Sequence, residues 1–196
     1  MRAITVALAF SLVVLPGAAW AEDAAAPPKP ADLLKALAEA GKPGPEHQKL
    51  QPFVGDWAVT LKLWTDPSKP AAEAKATVHG QWIMDGRFVQ QTLKGECNGK
   101  SFEGLRLFGY DRGQKKFTVV NACGLCGTIS HGVAACSDAG TRFECSKEEY
   151  CPLTGQKVTG RDETIVESND RVVTNVYRNV DGKELKVMEI VAVRQK

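Results

Sequence analysis

Hydrophobic and polar residues alternate along most of this sequence, and that period of two constrains the fold more than any other feature. The alternation begins near Phe53, and turn-forming residues such as Gly, Asp, Asn and Pro interrupt it about every ten positions. Because successive side chains of a strand point to opposite faces, each uninterrupted stretch is expected to be a β-strand with one buried face. The predicted strands are residues 55–64, 73–83, 87–95, 101–110, 116–122, 127–135, 141–147, 157–167, 171–179 and 184–194.

The connections between these strands are short and contain no helical pattern. Consecutive strands joined by tight turns pair antiparallel, and a long meander of this kind usually closes on itself to remove its edges. The sequence therefore predicts a mainly β protein, an antiparallel up-and-down β-barrel of about ten strands. One short N-terminal helix is expected over residues 31–40, where Leu33, Leu34 and Leu37 share a face.

The N-terminus has the pattern of a secretory signal peptide. Arg2 precedes an apolar run over residues 3–15, and Ala19 and Ala21 are the small residues expected before a cleavage site. The predicted organisation is a signal peptide at 1–21, a flexible leader with the short helix at 22–45, and the barrel domain at 46–196. We expect a periplasmic or secreted protein with no transmembrane segment after cleavage.

The balance of charges excludes one class of partner. The chain has 25 Lys and Arg against 23 Asp and Glu, and one of the basic residues, Arg2, lies in the predicted signal peptide. Nucleic-acid-binding domains are usually much more basic, with clustered Lys and Arg. Nucleic acid is therefore not expected as a partner.

The sequence contains six cysteines, and an exported protein usually oxidises its cysteines to structural disulfides. Disulfide staples are the favoured interpretation here, although spacing alone does not choose the pairing. Cys123 with Cys126 could bridge a hairpin turn, and the other four would supply two more bridges. The candidates are Cys97, Cys123, Cys126, Cys136, Cys145 and Cys151.

The Cys123-Gly-Leu-Cys126 motif leaves two alternatives open. With His131 and Cys136 it offers three sulfurs and a nitrogen, the ligand types of a zinc or copper site. Strand alternation, however, puts His131 and Cys136 on opposite faces. The same pair could instead be a thiol-redox site, although the helix N-terminus that usually activates such a pair is not predicted here.

Several ordered motifs resemble an exported bacterial family called "domain of unknown function 1579". The motifs are LQPFVGDW at 50–57, MDGRFV at 84–89, FEG at 102–104, FGYD at 108–111, PLTGQK at 152–157 and DGKELKVMEI at 181–190. The resemblance spans about residues 46–194 and implies a barrel fold without implying an activity. Residues 121–128 depart from the family pattern, so the cysteines are expected to belong to a subgroup.

Gly55-Asp56-Trp57 also resembles the Gly-x-Trp motif that opens the first strand of lipocalin-like barrels. In such barrels the Trp plugs one end and a basic residue of the last strand stacks on it. The resemblance implies that Trp57 and Arg194 form this plug here.

A non-enzymatic function is favoured, because no catalytic constellation or phosphate-binding loop is present. Barrels of this size can hold one ligand, so fold analogy suggests that the lumen binds a small, mostly apolar molecule with no bound cofactor. The anchors proposed for it are His79, Trp82 and Arg87. A structural domain with an unidentified protein partner is a further alternative.

Two polar segments are expected to be solvated. His47 lies in a turn-rich linker, and the run Lys147-Glu148-Glu149 is predicted to form an exposed face.

Overall fold

The computed structural model describes residues 29–66, 68–152 and 154–196, so the predicted signal peptide lies outside the described residues. The described residues divide into two compact units, with the boundary between Leu37 and Ala38. Helix α1 is Pro30–Ala40, and none of its residues is buried. Within the described ranges, no helix is long and apolar enough to cross a membrane.

The second unit contains ten strands, each antiparallel to its neighbours in the chain, and β1 pairs with β10 to close the barrel. This confirms the predicted fold. The strands are β1 Gly55–Leu63, β2 Ala72–Ile83, β3 Phe88–Cys97, β4 Lys100–Asp111, β5 Lys116–Cys123, β6 Thr128–Cys136, β7 Arg142–Tyr150, β8 Lys157–Ser168, β9 Arg171–Val180 and β10 Lys183–Arg194.

Two short helices precede β1 and close one end of the barrel: α2 Pro45–Gln48 and the single 3-10 turn Gln51–Phe53. Leu50 is fully buried, and the Phe53 ring stacks on Phe108 with 4.8 Å between centroids. Burying a side chain of this size contributes about 1.5–3 kcal/mol to the stability of the folded protein. We call this end of the barrel the capped end and the opposite end, where the β1–β2, β3–β4, β5–β6, β7–β8 and β9–β10 turns lie, the mouth.

Trp57 and Arg194 lie opposite each other in the β1–β10 ladder at the capped end. The Arg194 guanidinium carbon lies 4.2 Å from the centre of the Trp57 ring, and Trp57 is 2% exposed. Arg194 also donates hydrogen bonds to the carbonyls of Val54 and Asn169, both at 2.8 Å. The last strand is thereby tied to the segment that enters the first.

His47 is buried, which corrects the expectation of a solvated linker. Pro45 begins a helical turn, and the His47 Nδ1 accepts a hydrogen bond from the Gly44 N–H at 3.0 Å. The ring lies edge-on to Tyr110. Burial lowers the pKa of His47 below 6.5, and the positive charges of Arg112 and Arg87 lower it further, while a backbone interaction with Gly44 opposes these effects.

We predict that His47→Leu reduces the loss of stability between about pH 7 and pH 5. The pKa of His47 is lower in the folded chain than in the unfolded chain, so the unfolded chain takes up the proton first as the pH falls. The contribution of neutral His47 is therefore present above 6.5 and is lost as the pH falls through the folded pKa. Urea unfolding at pH 7.5 and pH 5 would measure it; an unchanged difference between the two pH values in the variant would contradict this account.

Candidate functional site

The inner face of the barrel changes character along its length. Near the capped end it is lined by buried apolar side chains, among them Val59, Val89 and Phe143. Toward the mouth the apolar side chains that face inward are only partly buried, as Leu61, Leu93 and Phe102 show. The lumen is therefore closed at one end and accessible from the other.

Charged side chains lie inside the barrel between these two regions. A salt bridge joins Lys147 to Asp162, and Arg178 Nη1 lies 3.2 Å from Asp162 Oδ1. Arg178 Nε in turn lies 2.7 Å from Glu149 Oε1. We call these four residues the lumen ion chain. It joins three neighbouring strands, β7, β8 and β9, across the inside of the barrel.

Asp162 is the central carboxylate of this chain, with its side chain 7% exposed. Burial by itself raises its pKa, but the positive charge and hydrogen bond of Lys147, with the charges of Arg106 and Arg178, hold the pKa below the usual 3.8. A buried carboxylate remains ionised only when nearby cations compensate its loss of hydration. Asp162 is therefore an anion at neutral pH.

Arg106 lies next to this chain but is not part of it. Its Nε donates to Asn121 Oδ1 at 2.7 Å, and its guanidinium carbon lies 5.4 Å from the centre of the Phe108 ring. Within the described part of the chain, no carboxylate lies within 4 Å of the guanidinium, and its two terminal nitrogens have no hydrogen-bond acceptor. Burial lowers the pKa of Arg106, and the charge of Asp162 opposes that effect.

A cavity of about 30 Å³ adjoins this guanidinium. It is lined on the capped side by Leu50 and Phe143, and on the polar side by Arg106, Lys147 and Asp162. A cavity needs about 10–15 Å³ to hold one water molecule, so this one has room for a small polar group. It is too small for a whole apolar ligand, which would have to extend toward the mouth.

The structure does not bring together the three residues predicted as ligand anchors. His79 is on the outer face of β2, where its Nδ1 lies 2.7 Å from Asp56 Oδ1. The Trp82 Nε1 donates to Gln51 at 2.9 Å, which ties β2 to the cap. Arg87 folds back on the β2–β3 turn, donating to the carbonyl of Met84 at 3.0 Å.

The predicted metal ligands also separate. Cys123 and Cys126 share the β5–β6 turn, whereas His131 is exposed on the outer face of β6 and Cys136 faces inward at its far end. Cys136 ends a nine-residue strand that begins beside Cys123, so these two cysteines are about 25 Å apart. Among the residues placed in the structure, no three His, Cys, Asp or Glu side chains form a cluster able to hold a metal ion.

The cysteines do not form the expected staples with one another. Cys97, Cys123, Cys126, Cys136 and Cys145 are free thiols in the structure. The thiols of Cys136 and Cys145 instead donate to the carbonyls of Ser137 and Ser146. Burial raises the pKa of both thiols to about 11, so they are protonated and unreactive at neutral pH.

Comparison with known proteins places the chain in a family. The family model described as "Protein of unknown function (DUF1579)" matches residues 42–194. The chain belongs to this family. The description of DUF1579 names no activity, so membership does not assign one. No curated protein matches the sequence.

Solved structures resemble the DUF1579 barrel in fold. Rv2717c from M. tuberculosis has 18% sequence identity and a TM-score of 0.59, with 79% of this chain and 100% of that chain covered. The S-type phycobiliprotein lyase CPES from Guillardia theta has 12% identity and a TM-score of 0.57, with 81% and 97% covered. Identities this low establish a common barrel fold and nothing about activity.

The DUF1579 pattern and the strand periodicity both missed the lumen ion chain. Lys147 and Glu149 were expected to be solvated, but Lys147 is 7% exposed and both bind partners inside the barrel. The sequence of β7 already indicated that Lys147 faces inward, because Phe143, Cys145 and Lys147 fall on one face when alternation is continued. Arg106 was harder to assign, since β4 carries Leu or Phe on both faces.

Proposed function

We propose that this protein is an exported binding protein that takes up a small molecule with an anionic head group and an apolar body. The head group binds Arg106 in the middle of the lumen, and the body lies toward the mouth. The unpaired Arg106 guanidinium is the observation that carries this proposal.

Arg106 is half-buried, and a partly buried cation without a counter-ion lowers the stability of a folded protein, because its lost hydration is only partly replaced. Arg106 is fixed through Nε and by the Phe108 ring, and its two terminal nitrogens have no acceptor among the residues that the structure describes, so they remain available to the cavity. A carboxylate would accept two parallel hydrogen bonds from such a guanidinium. The ligand would thus supply a partner that the described residues do not.

The surrounding charges favour an anion as well. Arg106, Lys147 and Arg178 are three cations, and Asp162 and Glu149 are the carboxylates among them, which leaves one positive charge inside the barrel. In a region of low dielectric constant that excess charge attracts an anion more strongly than it would in water. The head group would replace whatever water occupies the cavity of about 30 Å³.

The apolar body has a surface to contact. Leu61, Leu93 and Phe102 face inward from β1, β3 and β4 and are only partly buried. Covering such surface contributes about 25 cal/mol per Å². The ligand that we propose is therefore amphipathic and not mostly apolar, with its acidic end innermost.

Export is supported by the sequence of residues 1–21, and it is a separate part of the proposal. Its test is the intact mass of the protein recovered from osmotic-shock fluid of the producing bacterium. A chain that begins at Glu22 is expected, and an unprocessed chain confined to the cytoplasm would contradict it.

The ligand class can be tested with a matched pair of probes, a dansyl-labelled long-chain carboxylic acid and its methyl ester. Both carry the same apolar body, so a difference in affinity reports the head group alone. We expect the acid to bind at least about tenfold more tightly, since a hydrogen bond to a charged partner contributes about 1.5–3 kcal/mol. Equal affinities, or no binding of either probe at millimolar protein, would overturn the proposal.

A further inference from the structure

The turn between β5 and β6 holds two thiols next to each other. The Gly127 N–H donates to the Cys123 carbonyl at 2.9 Å, and Gly127 has a φ of +63°, which closes the four-residue segment between Cys123 and Thr128 tightly. The Gly124 N–H donates to the carbonyl of Glu103 at 2.9 Å and fastens the turn to β4. The two cysteines are therefore held on a fixed turn and not on a mobile loop.

The two thiols differ in accessibility and in their hydrogen bonds. Cys126 is exposed, and its sulfur lies 3.1 Å from the hydroxyl oxygen of Thr128. Cys123 is half-buried and hydrogen-bonds through its thiol to Cys126. One sulfur of the pair is thus exposed to solvent, while the other is partly shielded and hydrogen-bonded to it.

Their acidities differ in the same direction. Partial burial raises the pKa of Cys126, but hydrogen bonds from the Cys123 thiol and from the Thr128 hydroxyl and N–H outweigh it and lower that pKa below its ordinary value. Burial raises the pKa of Cys123, and its hydrogen bond to Cys126 raises it further. Cys126 is therefore the more acidic thiol of the pair, and Cys123 keeps its proton to higher pH.

We propose that Cys123 and Cys126 form a thiol–disulfide exchange site at the mouth of the barrel, with Cys126 as the attacking thiolate and Cys123 as the resolving thiol. The exposed sulfur is the more accessible one to a disulfide in solution, and the half-buried one is already within hydrogen-bond distance of Cys126. This site is independent of ligand binding in the lumen.

The exchange proceeds in two balanced steps. The Cys126 thiolate attacks one sulfur of a disulfide RS–SR′, forming a bond to that sulfur and releasing R′S⁻, which takes up a proton. Cys123 then loses its proton and attacks the Cys126 sulfur, which releases RS⁻ and forms the Cys123–Cys126 disulfide. The pair is oxidised by two electrons, and the external disulfide is reduced to two thiols.

A metal site explains the geometry less well. A protein metal site needs three or four side-chain ligands, and the described residues include no group of three or more His, Cys, Asp or Glu that could hold a metal ion here. Metal binding would also require both thiols to be deprotonated, and it does not account for one shielded, protonated thiol beside one exposed thiol of lower pKa. The unequal thiols fit a division of labour between attack and resolution.

The test uses the protein, reduced and freed of reductant under argon, with oxidised glutathione as the disulfide. In the wild type we expect loss of the two thiol hydrogens and a Cys123–Cys126 disulfide in the peptide map. Cys123→Ser should accumulate a stable glutathione adduct at Cys126, whereas Cys126→Ser should form an adduct at Cys123 at least about tenfold more slowly. Cys97→Ser, which removes another thiol near the mouth, is the matched control and should behave like the wild type.

Each alternative gives a distinct result. Equal rates of adduct formation in the two serine variants would overturn the assignment of roles. A bound metal ion that protects both thiols in the purified wild type, and is lost on chelation, would replace the exchange site by a metal site. Oxidation to a disulfide that oxidised and reduced glutathione cannot interconvert would make the bridge purely structural.

Discussion

Replacing Asp162 by Asn is expected to lower the free energy of unfolding by about 3–5 kcal/mol, the usual cost of removing one partner from a buried ion pair. Asp162 is the shared carboxylate of Lys147 and Arg178, and its charge also acts on Arg106. An amide of the same size leaves three cations inside the barrel with only Glu149 to compensate them. Stability is therefore lost although packing is unchanged.

Urea unfolding followed by circular dichroism measures this loss. Glu148→Gln is the matched control, because Glu148 lies on the same strand but is exposed and forms a surface pair with Lys157. A surface pair of that kind contributes about 0–1 kcal/mol. Equal destabilisation by the two variants would show that the lumen ion chain contributes no more than a surface pair.

The pH dependence gives a second measure of the same residue. The pKa of Asp162 is lowered in the folded chain, so its contribution to stability is present above its ordinary pKa of 3.8 and is lost as the pH falls through the folded value. The difference in stability between the wild type and Asp162→Asn should therefore shrink with acidification below about pH 4. A difference that is constant over that range would contradict the assignment.

Replacing Arg106 by Met is expected to reduce ligand affinity without reducing stability, the opposite of the effect expected for Asp162→Asn. Methionine keeps much of the volume and removes an unpaired charge, so stability should be unchanged or higher. Affinity for the dansyl-labelled acid should fall about 10- to 100-fold, because the bound carboxylate loses its charged hydrogen bonds. A variant that is much less stable and binds the acid as before would show that Arg106 has a structural role only.

The control for Arg106→Met is Arg112→Met. Arg112 is an exposed arginine in the β4–β5 turn at the capped end, and its guanidinium donates to the carbonyl of Lys42. Removing it changes the net charge of the protein by the same amount but leaves the lumen unaltered. Its affinity for the acid should equal that of the wild type.

The fold could be predicted because short stretches of sequence determine where each strand begins and ends. Turn residues and alternation located all ten strands, and the only closed antiparallel arrangement of consecutive strands is the observed one. Strand ends shifted by only a few residues, most of all in β7, which continues to Tyr150 through a charged run. That run can continue the strand because its inward charges find partners on β8 and β9.

The candidate site could be predicted only in part, because it depends on contacts between distant residues. Lys147 meets Asp162 across the β7–β8 ladder, and Arg178 reaches both Asp162 and Glu149. A single sequence shows each as an ordinary charged residue, and only the register of the barrel brings them together. His47 was missed for the same reason, since its burial depends on how the cap enters the barrel end.

For the cysteines, the local motif was informative, whereas the expected pairing of distant residues was not. Their number favoured staples, but spacing over the chain placed Cys136 near the capped end and Cys123 at the mouth, a full strand apart. The pair that the structure does bring together, Cys123 and Cys126, was already visible as a motif. What the motif did not contain is the inequality of the two thiols, which comes from Thr128 and from burial.

The central claim is that Arg106 recognises an anionic head group, and a double-mutant style cycle tests it most directly. Affinities of the wild type and Arg106→Met are measured for the dansyl-labelled acid and for its methyl ester, four titrations in all. We predict a coupling free energy of about 1.5–3 kcal/mol, with the preference for the acid lost in the variant. If the variant keeps the full preference for the acid, so that the coupling is zero, the anion does not bind at Arg106 and the account of the lumen is wrong.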